Sequence, residues 1–146
     1  VSSQYNDELK KENAVDGNTN TRWGSKRECD DNWLIVDLQK NCSIKALNIL
    51  WEAACSDEYS IEISLDKKNW TTVKDKLKSS ASLSDQYLFD DTVYGRYLKI
   101  HSTKTRIVNG KNYGISIYEL VAYGNEEQED TNYSNIALNK SVETSS

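Results

Sequence analysis

Apolar residues recur along this chain in short alternating runs separated by polar turns, and helical spacing is nearly absent. Trp33-Leu34-Ile35-Val36-Asp37-Leu38 predicts one strand. Ile44 to Trp51 predicts another, with Ile44, Ala46, Asn48 and Leu50 on one face and Lys45, Leu47, Ile49 and Trp51 on the other. Tyr59 to Leu65 alternates cleanly, then turns at Asp66-Lys67-Lys68-Asn69 into Trp70-Thr71-Thr72-Val73. Tyr97 to His101 and Ile117 to Tyr123 complete the set. Several short strands without intervening helices predict an all-β, antiparallel sandwich or barrel. Proline is absent and glycine scarce, so the turns rely on Asn, Asp, Ser and Lys.

The pattern stops at Gly124. Residues 1–124 form the expected domain, 125–134 an acidic linker beginning Asn125-Glu126-Glu127-Gln128-Glu129-Asp130, and 135–146 a short apolar return. A length of 146 residues fits one domain and suffices for a core without a disulfide scaffold.

Charge narrows the partners. The net charge is −5, but residues 1–124 balance 17 bases against 18 acids. That stretch lacks the basic stripe that nucleic acid or an anionic membrane demands, so neither is an expected partner. No run approaches the ~20 apolar residues of a membrane span. The chain starts at Val rather than Met and reads as a piece of something larger. Cys29, Cys42 and Cys55 show no CxxC spacing, which argues against zinc. Free thiols and a Cys29–Cys55 disulfide both stay open. Nine Tyr and four Trp stand against a single Phe, a bias toward rings that present an apolar face and a polar edge.

Ala14-Val15-Asp16-Gly17-Asn18-Thr19-Asn20-Thr21-Arg22-Trp23 places Asp16, Asn18 and Thr21 oxygens around a glycine turn. By spacing alone this suits either a hard cation or an ordinary turn. Further blocks follow in order: Trp33 to Leu38, Trp51-Glu52-Ala53-Ala54, Tyr59 to Ser64 with Asn69-Trp70, Gly95 to Ile100, and Tyr113-Gly114-Ile115-Ser116-Ile117-Tyr118-Glu119. Together they resemble the discoidin, or coagulation factor 5/8 type C, family, and within it the bacterial family 32 carbohydrate-binding modules. The resemblance covers residues 1–124 and implies a discoidin-like jelly-roll β-sandwich. It also implies a structural calcium held by Asp16 and Glu119 carboxylates, the Thr21 hydroxyl, and carbonyls near Asn13, Asn18, Thr21 and Tyr118.

The resemblance further implies a sugar site in loops at one end, at Tyr5, Arg22, Arg27, Glu52 and Tyr113. Sugars present hydroxyl edges and a C–H face, so charged hydrogen-bonding groups beside an aromatic ring suit them. The plainer account pairs Arg22 with Glu52 in a salt bridge and makes Tyr113 a strand aromatic. Trp23, Trp33, Trp51 and Trp70 match framework positions and are expected in the core. The stretch from Lys104 to Asn112 looks longer than usual, and Arg27 falls where some relatives carry an aromatic.

Asn135 to Ser146 resembles the start of another module of the same kind, and Val1-Ser2-Ser3 the end of that same first strand. The tail is therefore expected to fill the first-strand position, in cis or on a neighbouring molecule. With one His, no Cys–His motif and no phosphate loop, the chain is not expected to be an enzyme. The expected function is recognition of a terminal hexose or N-acetylhexosamine (galactose, GalNAc or GlcNAc type), with glucan or chitosan-type chains as the second choice of ligand, targeting a parent glycoside hydrolase secreted or displayed by a bacterium. Its partners would be the glycan and neighbouring modules. Docking within the parent enzyme, or lipid binding, are the competing readings, although the loops 24–32 and 53–58 are polar and acidic.

Overall fold

A computed structural model of the chain describes residues 7–126 and 134–145. Among the described residues two 3-10 turns, Asp7–Leu9 and Lys11–Val15, precede eight strands. These are β1 (Trp23–Gly24), β2 (Asn32–Trp51), β3 (Ser56–Ser64), β4 (Thr71–Leu77), β5 (Ser84–Thr105), β6 (Ser116–Glu126), β7 (Ser134–Asn135) and β8 (Ser141–Thr144). Every pairing among them is antiparallel.

The two long strands build both layers of the sandwich. The first half of β2, residues 34–37, pairs with β8 on one side and with the second half of β5 on the other. The second half of β5 also pairs with β3, which pairs with β4. The second half of β2 instead lies between β6 and the first half of β5, and β6 carries β1 and β7. Register shifts between Asp37 and Cys42 and between Ile44 and Ala46 mark where β2 passes from one layer to the other. Bulges of this kind bend a strand and increase its twist. The runs read from sequence as separate strands at 33–38 and 44–51 are therefore one strand, and residues 84–96 extend β5 far ahead of Tyr97. β6 likewise continues to Glu126, past the boundary read at Gly124.

Alternation decides which residues enter the core. Leu34, Val36 and Leu38 are buried on one face, while Trp33 and Asp37 on the other are only half-buried and Ile35 between them is covered. This corrects the expectation for two tryptophans. Trp23 and Trp51 are fully buried, but Trp33 and Trp70 are only half-buried. Trp70 is covered by the Lys99 ammonium, 4.2 Å from its ring centroid. The core also takes Ile136, Ala137 and Val142 from the tail. All three cysteines are free, so the disulfide alternative is not realised.

Candidate functional site

One end of the sandwich carries a cleft of about 250 Å³, lined by Leu9, Arg22, Ser25, Arg27, Glu52, Ala53, Ala54, Val108, Tyr113 and Ser116, with Gly24 at its wall. It gathers Arg22, Arg27, Glu52 and Tyr113 from four places in the chain. Tyr5 lies outside the described residues.

Each side chain is placed by backbone bonds. Arg22 immediately precedes β1, whose Gly24 pairs with Ser116. Its Nη1 donates to the Ser116 hydroxyl at 2.7 Å, and that hydroxyl donates to the Trp23 carbonyl at 2.7 Å. Glu52 follows the last residue of β2. Its N–H donates to the Ser116 carbonyl at 3.0 Å, and the Ser116 N–H donates to the Ala54 carbonyl at 2.6 Å. One Glu52 oxygen, Oε2, accepts the Ala54 N–H at 2.8 Å. Among the described residues Arg22 and Glu52 form no ion pair, so the salt-bridge account does not hold for them.

Tyr113 sits on the loop between β5 and β6. Gly114 has a φ of 73°, and a Cβ there would meet the Lys26 carbonyl oxygen at 2.5 Å, so only glycine permits this close approach. The Ser25 hydroxyl accepts the Ile115 N–H at 2.8 Å, and the Ser25 N–H donates to the Ile115 carbonyl at 2.8 Å. These contacts bring the loop beginning at Ser25 against Tyr113, and the Arg27 guanidinium stands 5.0 Å from its ring centroid. The ring is half-buried rather than part of a strand. Leu9, Ser25, Ala53, Ala54, Val108 and Ser116 escaped prediction. Ala53, Ala54 and Ser116 lie inside the motifs that carry the resemblance, whereas Leu9 gave no signal in the sequence.

A buried network underlies the cleft. Asp85 Oδ2 accepts from Trp51 Nε1 at 2.9 Å and from the Tyr59 hydroxyl at 2.6 Å, while Oδ1 accepts the Ser80 N–H at 3.0 Å. Tyr59 also bonds Tyr87. Burial, then the bonds to Asp85 and Tyr87, push the Tyr59 phenol far above its ordinary range. The network locks Trp51, the residue next to Glu52. On the other flank Arg106 donates to Asp57 at 2.8 Å and to the Ser79 carbonyl at 2.7 Å, holding the Asp57 carboxyl below its usual range.

The proposed cation ligands come from two elements. Asp16 ends the second 3-10 turn, with Oδ1 accepting the Asn18 N–H at 2.9 Å and Oδ2 within 2.5 Å of the Thr21 hydroxyl. The Asn18 side chain accepts the Asn20 N–H, and its carbonyl accepts from Thr21. Buried Asn13 directs its amide to the carbonyls of Glu8 and Arg22, and Tyr118 is half-buried next to Glu119. Glu119, on β6, is 5% exposed, and the Gly17 and Asp16 N–H groups near its carboxylate fall short of full hydrogen-bond geometry. Burial first, and the Asp16 charge with it, raise its pKa to about 7, against a partial pull downward from the Gly17 and Asp16 N–H groups. A buried carboxylate left unpaired is costly. The residues fit a hard cation, which would take both Glu119 oxygens together with the Asp16, carbonyl and hydroxyl donors.

The architecture is the discoidin-like β-sandwich of carbohydrate-binding modules. Residues 1–120 match the F5/8 type C domain, and the chain belongs to that family. Chitosan-binding module 2 of a chitosanase/glucanase from Paenibacillus sp. IK-5, solved in complex with chitotriose, is 29% identical. Its TM-score is 0.76, over 84% of this chain and 92% of that one. The CBM32-3 module of a family 31 glycoside hydrolase from Clostridium perfringens is 30% identical, with a TM-score of 0.69 over 84% and 86%. A polysaccharide lyase 8 family protein, HylA, from Enterococcus faecalis is 32% identical over 114 residues. The match takes in 77% of this chain, which spans only 8% of that relative's length. By fold and family the chain is a module of this non-catalytic type.

Proposed function

We propose that the chain binds the terminal hexose or N-acetylhexosamine of a glycan, of galactose, GalNAc or GlcNAc type, in the cleft at Arg22, Arg27, Glu52 and Tyr113. The observation that carries this is the convergence of one carboxylate, two guanidiniums and an aromatic ring on a single cleft. Glu52 can accept from adjacent sugar hydroxyls and Arg22 can donate in a fork, which is the chemistry a hydroxyl-rich edge requires. The chitotriose-bound Paenibacillus module supports an oligosaccharide as the ligand class. In this reading the module belongs to a secreted or surface-displayed bacterial glycoside hydrolase or lyase and holds it on its substrate. The segment 135–146, which has the sequence of a following module's start, fills the first-strand position of this domain through β8 on β2. Weak single-site binding would be compensated by tandem copies through avidity.

Calcium belongs to the same proposal as a structural ion. Asp16 and Glu119 would hold it with oxygens of Asn13, Asn18, Thr21 and Tyr118. The ion supplies charge neutralisation for the buried carboxylate when bound.

A glycan array on the calcium-loaded chain, with Glu52→Ala as control, tests the sugar reading. Binding to one terminal sugar, lost in the variant, is the expected result. Silence across the array from folded protein would turn the assignment toward docking within the parent.

A further inference from the structure

The tail touches both elements that carry the proposed cation ligands. The Asn139 N–H donates to the Val15 carbonyl at 2.6 Å, one residue before Asp16. Leu138 Cδ1 lies 2.9 Å from where a Cβ on Gly17 would stand, so its methyl group rests directly on the loop backbone beside Asp16. Gly17 has a φ of 75°, and a side chain there would displace Leu138. At its other end the same segment grips β6. The Ile136 N–H donates to the Ala122 carbonyl at 2.8 Å, and Ile136 Cδ1 packs 3.1 Å from the Cβ position of Gly124. Glu119 sits on that strand, three residues before Ala122. The segment between is a tight turn, closed by the Lys140 N–H on the Ala137 carbonyl and anchored by buried Ala137.

Loop residues 17–20 are exposed, and the backbone at the loop's start, Val15 and Gly17, is held by this turn. Residues 136–139 thus tie the backbone at Val15 and Gly17 to β6 at Ala122 and Gly124, the two elements that carry Asp16 and Glu119. We infer that Ile136, Leu138 and Asn139 are positioning residues for the cation site, so that tail docking and calcium binding reinforce each other. The inference rests on the calcium reading above and adds to it a linkage. Such coupling is reciprocal, and a docked tail and a bound ion strengthen one another by the same factor.

The test is a calorimetric Ca²⁺ titration of the full chain, of Leu138→Ala, and of Ile63→Val as a core control on β3, a strand that does not pair with the tail. Leu138 is 40% exposed, so its truncation leaves the core intact. Leu138→Ala should weaken Ca²⁺ binding about fivefold, at the low end of typical couplings, and Ile63→Val should leave it unchanged. Hydrogen exchange at the Ile136 and Asn139 amides should slow when calcium saturates the wild-type chain. Equal Ca²⁺ affinity in Leu138→Ala and wild type, equal losses in both variants, or exchange indifferent to calcium would overturn the linkage and leave the cation site standing. Absence of Ca²⁺ binding to the wild-type chain would remove the cation reading and the linkage together.

Discussion

Arg27 stands over the ring of Tyr113 with its guanidinium carbon 5.0 Å from the centroid, joining two loops that are 86 positions apart in sequence. A cation on one face of a ring leaves the other face for stacking. The aromatic platform of the cleft is therefore a composite of both residues. Exposed cation–π pairs contribute roughly 0.5–1 kcal/mol. A double-mutant cycle of Arg27→Ala and Tyr113→Ala, read by denaturant unfolding, should return a coupling of that size. Additive losses would show that the two loops pack independently.

Glu52 offers a cleaner probe of recognition. Glu52→Gln keeps an acceptor for the Ala54 N–H and removes only the charge. Charge-assisted bonds exceed neutral ones, so affinity for the sugar found on the array should fall roughly tenfold. The melting temperature should move by less than about 2 °C, which differential scanning calorimetry would check.

The pH dependence of the calcium-free domain follows from Glu119. Its folded pKa is raised from 4.5 to about 7, so the native state holds a proton that the unfolded chain releases. The associated stability is present below pH 4.5 and disappears as pH climbs through 7. If calcium binds as proposed, it should hold the carboxylate ionised and abolish this slope. Urea titrations between pH 4.5 and 8, with calcium and with EGTA, would reveal it. In Glu119→Gln, both the slope and the calcium dependence should be lost.

Val142 measures what the tail contributes to stability. It is 4% exposed and belongs to β8, which covers the edge of β2 at Leu34–Asp37. The Ser145 hydroxyl and N–H close the same edge on Trp33, and Lys67 pairs with Glu143. Val142→Ala should cost roughly 2 kcal/mol, a fall of about 4–8 °C in melting temperature. An unchanged transition would mean that the tail is not docked in solution.

Asp85 holds three donors in a buried place. Asp85→Ala leaves the Trp51 indole and the Tyr59 hydroxyl unsatisfied, at a cost of about 3 kcal/mol or more. Because Trp51 precedes Glu52, sugar affinity should fall alongside stability. Tyr59→Phe should cost less, since Asp85 keeps Trp51 and Ser80, and the one donor it strands, the Tyr87 hydroxyl, is only half-buried. Unfolding curves for the two variants give the comparison.

Part of the fold was legible because strand patterning is local. The alternation in residues 59–65 and 117–123 located β3 and β6 to within a few residues. It could not join residues 33–38 to 44–51, because a bulged strand changes its facing register midway and breaks the pattern. The tryptophans failed for a related reason. Leu34, Val36 and Leu38 claimed the core face of β2, and parity then turned Trp33 outward whatever its size.

For the site, the sequence by itself determined which groups with sugar and cation chemistry the chain holds, since motifs such as Trp51-Glu52-Ala53-Ala54 and Ala14 to Trp23 are contiguous. Tertiary structure alone decided how they meet. It hung Arg22 and Glu52 on a common residue, Ser116, set Arg27 on Tyr113, and left the Glu119 carboxylate buried without a hydrogen bond of full geometry. It also placed Leu9 and Ser25 in the cleft wall. The reason is physical: hydrogen bonds and desolvation depend on distances between segments, and those distances arise only when two bent strands fold the chain into layers.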